Sequence, residues 1–207
     1  ETELYFLSEC LGNLECYSFY NAGLTVSVTK KGGIVTYLLR SRFADESTLT
    51  YEQAIESAKL FLNNHGYKNV KESYYAVTDG IMTINFAFYE NGITYYTDLI
   101  KVSVALDNGE ITGFDSTGYL MNHTKRELAK KYKYTEESAG ALLNSSLKIK
   151  SSKKVFIPTD FGTEIFAYEY HCVAPENQEI LVYIDPQTGV EAEILVLLYS
   201  DNGVLTK

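Results

Sequence analysis

The sequence predicts an α+β protein built as three repeats, each an antiparallel four-strand meander with a helix packed across one face, the first repeat lacking its helix. Three observations carry this reading. Alternating apolar stretches at 24–28, 98–106 and 180–184 each lead into a glycine turn and a returning strand. The turn glycines Gly33, Gly109 and Gly189 lie 76 and 80 residues apart by subtraction, a spacing that points to an internal repeat. Capped amphipathic stripes begin at Thr50 and Thr135, ahead of the second and third meanders. The expected divisions are 1–44 (strands only), 45–122 and 123–207.

The first repeat opens without a helix. Residues 4–8 read as a strand, Gly12-Asn13 as a turn and 14–20 as the returning strand. Residues 24–28, Lys30-Lys31-Gly32-Gly33 and 34–39 complete the meander near Arg40, and the polar stretch 42–49 is a linker. Three cysteines, Cys10, Cys16 and Cys172, are too few for a disulfide framework. A Gly12-Asn13 turn sets Cys10 opposite Glu15. A Cys10–Cys16 bridge stays open, with burial as small apolar side chains the expectation.

In the second repeat Thr50 caps a helix and Gln53 stands where a capping box requires it. Ala54, Ile55, Ala58, Phe61 and Leu62 form its apolar stripe, and Gly66 stops it. Strands are expected at 71–77, 81–89, 97–106 and 110–119, with turns at Asp79-Gly80 and Asp107-Asn108-Gly109. Ile84, Phe86 and Phe88 should face the helix.

The third repeat follows the same plan. Thr135 caps a helix whose first turn holds Glu136 and Glu137, and Ala139, Leu142, Leu143 and Leu147 form the stripe. Strands follow at 155–158, 164–173, 179–184 and 190–199, with turns at Phe161-Gly162 and Asp201-Asn202-Gly203.

Composition narrows function. The 207 residues are 45% hydrophobic, enough for a full core, and the net charge of −9 argues against nucleic acid or an anionic membrane surface. No apolar run approaches the roughly 18 residues a membrane span needs. Beginning at Glu1 without a signal peptide, the chain reads as an excised fragment. With 18 Tyr, 10 Phe and no Trp, it suits broad sheets with cross-strand aromatic pairs.

No chemistry emerges from the motifs. There is no G-x-S-x-G elbow, and Cys172 follows His171 directly, so on a strand the two point to opposite faces. His65, His123 and His171 lack metal-ligand spacing, and Asp107-Asn108-Gly109-Glu110 lacks the later ligands of a calcium loop. Glu136-Glu137 and Glu191/Glu193 fall on a helix start and a strand face rather than across a cleft. The expectation is no enzyme, no cofactor and no metal. What remains are exposed sheet edges and tyrosine faces suited to binding another chain.

The run DLIKVSVALDNGEITGF from Asp98, with GYLMNH and Arg126 after it, resembles the C-terminal region of the YpeB family of spore-germination proteins, and the repeats resemble that family's PepSY domains. Thr29-Lys30-Lys31-Gly32-Gly33 with Arg40 or Arg42, Ile157-Pro158, Glu164 with Tyr168-Glu169-Tyr170, and Val182-Tyr183-Ile184 with Thr188-Gly189 also match. Thr97 stands where the family is expected to carry Pro. The resemblance implies a non-catalytic spore protein on the outer side of the inner membrane facing the cortex, with an N-terminal membrane anchor outside this fragment. Its implied partner is the cortex-lytic enzyme SleB, which it would stabilise, localise or restrain during dormancy. The alternative is a PepSY-type peptidase inhibitor or prodomain-like module.

Partner contacts are sought in the segment leaving the central hairpin, because loops carry function more often than strands. Tyr119 and Met121 are expected to dock the second repeat on the third, and His123 and Arg126 are the candidate contact residues. Replacing both with Ala should weaken partner binding and leave the melting temperature within about 2 °C, as expected for exposed positions, whereas a large loss of stability would show that they hold the repeats together.

Overall fold

The computed structural model describes residues 3–44, 47–200 and 203–206. In chain order its elements are β1 (Tyr5–Cys10), β2 (Cys16–Asn21), β3 (Leu24–Thr29), β4 (Val35–Arg40), α1 (Tyr51–Asn64), β5 (Val70–Thr78), β6 (Ile81–Glu90), β7 (Ile93–Ala105) and β8 (Ile111–Asp115). There follow α2 (Thr117–Asn122), α3 (Glu136–Gly140), β9 (Lys148–Pro158), β10 (Glu164–Val173), β11 (Glu179–Ile184), β12 (Glu191–Ser200) and β13 (Gly203–Thr206). The α+β class holds. Among the described residues no helix is long and apolar enough to cross a membrane.

The chain forms two compact units. The first runs to Phe88 and takes in Asp98–His123; the second takes in Tyr89–Thr97 and the chain from Thr124 onward. Strands of the first unit lie in the order β1-β2-β3-β4-β8-β7-β6-β5. The strands of the 1–44 segment do not stand apart, because Tyr37, Leu38 and Leu39 of β4 pair with Asp115, Phe114 and Gly113 of β8. An unpaired β4 would leave a row of unsatisfied backbone groups, and β8 satisfies them. The expected 42–49 linker is held too: Arg42 pairs with Asp107 and Glu110, and the Thr48 and Leu49 amides donate to the Leu106 carbonyl. Residues 45 and 46 of that stretch lie outside the described residues.

Helix α1 forms for the reasons its sequence gives. The Thr50 hydroxyl accepts from the Gln53 amide, and the Gln53 side chain accepts from the Thr50 amide. Ala54, Ile55, Ala58 and Leu62 are buried against Met82, Ile84, Phe86, Ile100, Val102 and Val104. Each large aliphatic side chain so buried contributes about 1.5–3 kcal/mol.

Three local expectations in this unit are corrected. The first hairpin turns through residues 11–15 rather than at Gly12-Asn13 alone, so Cys10 faces Cys16 and not Glu15. The Glu15 carbonyl instead accepts from the Lys30 amide, extending the β2–β3 pairing. Strand β8 ends at Asp115, not 119, because the Asp115 carboxylate accepts from the Thr117 amide and the Ser116 carbonyl from the Leu120 amide, which starts α2. Strand β7 begins at Ile93, ahead of residue 97.

In the second unit the order is β13-β12-β11-β10-β9, and residues 93–95 of β7 run parallel beside residues 154–156 of β9. That parallel contact departs from the purely antiparallel expectation. Helix α3 keeps its Thr135 cap, which Ser138 closes into a capping box, but ends at Gly140. Glycine is a weak helix former, and here a side chain would meet the Tyr170 ring at 3.1 Å. Ala139 and Leu143 still pack with Tyr168, Tyr170, Cys172, Ile180, Val182 and Ile184, whereas Leu142 is exposed. Strand β13 was not expected; of the turn at 201–203, residues 201 and 202 lie outside the described residues.

Candidate functional site

Both candidate contact residues lie just past α2, and each is drawn into a cluster of its own unit. In the first unit Tyr119 meets Tyr67 edge-on at 5.3 Å and stacks on the His123 ring at 4.3 Å. Phe88 adds an edge contact to His123 at 4.5 Å. His123 Nδ1 lies 2.7 Å from Asp98 Oδ2; the Asp98 side chain is fully buried and that of His123 is 34% exposed. Burial pushes the Tyr119 phenol above its ordinary pKa, and the Asp98 charge adds to that. Tyr119 therefore packs within the first unit, while Met121 is exposed.

Arg126 belongs to the second unit. Its Nε donates to Glu164 Oε1 at 2.7 Å, and a terminal amino group donates to Glu164 Oε2 at 2.9 Å and to Thr97 Oγ1 at 3.1 Å. The Thr97 hydroxyl in turn donates to Glu164 Oε2 at 2.6 Å. The guanidinium sits 5.1 Å from the centre of the Tyr95 ring. Only 7% of the Arg126 side chain is exposed, so the expectation of an exposed arginine is corrected. Burial raises the Glu164 carboxyl, but the hydrogen bonds from Arg126 and Thr97 and the arginine charge outweigh it and hold the group below the ordinary carboxylate range. A proline at 97 could supply none of this hydroxyl bonding.

A neighbouring triad has the same character. Tyr96 donates to Glu169 Oε2 at 2.9 Å, and Lys153 reaches Glu169 Oε1 at 3.0 Å and the Tyr96 oxygen at 2.8 Å. These charges neutralise one another on the strands that hold them. Such charge-assisted bonds fix the strands that carry them relative to one another.

Sequence reading missed Asp98, Thr97 and Lys153 as parts of these clusters. Glu164 and Glu169 stood out only within a resemblance, since partners separated by dozens of residues leave no local signal. Two further surfaces stand out among the described residues. An open groove of about 540 Å³ lies beside α3, lined by Glu136, Glu137, Ile149 and Tyr170 among others. The other is β1, where all six residues are exposed, among them Tyr5, Phe6 and Leu7, and no described strand other than β2 pairs with it. Phe6 makes edge contacts with Tyr17 and Phe19 on β2.

Comparison with known proteins places these features in a family. Residues 17–129 match the family model described as YpeB sporulation, PepSY1 and PepSY2 domains. The chain is 30% identical over 169 residues to a sporulation protein YpeB of Halalkalibacterium halodurans, covering 82% of this chain and 37% of that protein. It is 28% identical over 179 residues to the sporulation protein YpeB of Bacillus subtilis, covering 84% and 39% respectively. The chain thus spans less than two fifths of these curated relatives. The structure of the Bacillus megaterium YpeB C-terminal domain has the same fold, with a TM-score of 0.82 at 24% identity over 95% of this chain and 90% of that one.

Proposed function

Because this chain belongs to the YpeB sporulation family, we propose that it is a non-catalytic protein-binding module acting in spore formation and germination. In this reading it holds the cortex-lytic enzyme SleB in the dormant spore, stabilising, localising or restraining it from the outer side of the inner membrane. The observation that carries a binding role is β1, an edge strand whose aromatic and aliphatic side chains are exposed and whose outer backbone groups no described strand satisfies. Such an edge accepts an extended segment of another chain by strand addition. His123, a third exposed, is the candidate contact residue on the first unit, while Arg126 acts by fixing the chain that follows it.

Co-purification with SleB, followed by its cortex-hydrolysing activity and melting temperature with and without this chain, tests the proposal. Binding that is lost in Phe6→Glu with the melting temperature of the module unchanged is the expected result. No binding, and no change in SleB, would sink the direct form of the idea.

The match to PepSY domains favours a second reading, inhibition of a peptidase. A fall in activity of a co-produced protease on titration would support it, and flat activity over a wide concentration range would remove it.

A further inference from the structure

Cys10 ends β1, Cys16 opens β2, and the two are direct partners in the antiparallel register. Direct partners project from the same face of a sheet. Their α carbons lie about 4.5 or about 5.5 Å apart according to the hydrogen bonding of the pair, and both spacings fall inside the range of about 4.4–6.8 Å that a disulfide spans. Both thiols are unbridged here. Cys10 Sγ is 3.5 Å from the Ser18 hydroxyl, and Cys16 Sγ is 3.4 Å from the Leu14 carbonyl and 3.8 Å from the Thr36 hydroxyl. Cys10 is exposed and Cys16 buried, so an oxidant in solution meets one sulfur first and finds the other behind it. Cys172 is sealed in the core of the second unit.

We propose that Cys10 and Cys16 form a dithiol–disulfide modification site that clamps the edge hairpin. The Cys10 thiolate attacks one sulfur of an external disulfide, giving a mixed disulfide and releasing one thiol. The Cys16 thiolate then attacks the Cys10 sulfur, closes the Cys10–Cys16 bond and releases the second thiol. Two protein thiols are oxidised, one external disulfide is reduced, and the two cysteine protons end on the released thiols. A clamp matters here because little else secures β1. All six of its residues are exposed, it is the outermost strand, and its register is already irregular between Phe6 and Ser8. A one-residue slip would turn Phe6 to the opposite face, and a bond at the last pair forbids it.

The test incubates the whole chain with excess oxidised glutathione at mildly alkaline pH and follows intact mass and peptide maps. The wild-type chain should lose the mass of two hydrogens, keep no glutathione, and yield a peptide linking residues 10 and 16, with Cys172 alkylated only after unfolding. Cys16→Ser should hold one glutathione on Cys10, and Cys10→Ser should take up none. A wild-type chain that retains the adduct on Cys10, links Cys10 to a second copy, or stays unmodified overturns the proposal. Amide exchange along β1 should slow about tenfold in the oxidised chain; unchanged exchange would dispose of the clamp.

Discussion

Arg126 and Glu164 meet in two parallel hydrogen bonds, 2.7 Å and 2.9 Å long, with Thr97 closing the triangle from β7. A guanidinium fork fits a carboxylate in this way and an ammonium does not. Arg126→Ala should therefore lower stability by about 2 kcal/mol. Arg126→Lys should recover less than half of that loss, because a point charge makes only one of the two bonds. Urea unfolding with an unchanged slope checks both. A loss below about 0.5 kcal/mol for the alanine variant, as at an ordinary surface position, would show the pair to be idle.

Asp98 and His123 give a parallel prediction in the first unit. With Asp98 fully buried, removing His123 takes a polar partner from a carboxylate that water cannot reach. His123→Ala should cost about 1–2 kcal/mol, where Thr124→Ala, one residue further along, should cost a few tenths. Equal effects at the two positions would deny the histidine a structural role.

The turn glycines should separate by their surroundings. Gly33 has a positive φ of 62° and nothing near its missing side chain, so Gly33→Ala should cost about 1 kcal/mol from backbone strain alone. At Gly189, with φ at 78°, an added carbon would lie 2.7 Å from the Tyr134 ring, and Gly189→Ala should cost about 2 kcal/mol or more. Similar melting temperatures for the two variants would contradict this.

Acid should weaken the second unit through Glu179. The hydrogen bond from Lys150, then those from Tyr199 and His171, pull its carboxyl from 4.5 down to about 2. A lowered carboxyl pKa means stability that is complete above the unfolded value and is lost as pH falls toward the folded one. The gap in melting temperature between wild type and Glu179→Gln should thus be full above pH 4.5 and close as pH falls toward about 2. A gap that widens on acidification would reverse the assignment.

The sequence was legible where its signals were local. The capping box at Thr50, the cap at Thr135 and the glycine turns at 33, 109 and 189 each depend on residues within a few positions, and all form. Failures arose where a distant partner decided. The strand expected to run on to residue 119 stops at Asp115, because Thr36 and Tyr67, distant in sequence, hold Ser116, whose carbonyl then accepts from the Leu120 amide to start a helix. The stripe from Ala139 to Leu147 has helical spacing, but the helix ends at Gly140, a weak helix former set where an added side chain would lie 3.1 Å from the ring of Tyr170 on β10. Arg126 looked solvent-facing because Glu164 and Thr97 lie far from it in sequence.

The way the chain alternates between its two units bears on how they can be made. It leaves the first unit after Phe88, returns after Thr97 and departs again after His123. Residues 93–95 thus leave the ribosome long before residues 154–156, the stretch beside which they finally run, have been translated. A recombinant piece starting at Thr124 would omit residues 93–95 altogether, and one starting at Tyr89 would carry Asp98–His123 of the first unit with it, so no single cut yields the second unit whole and alone.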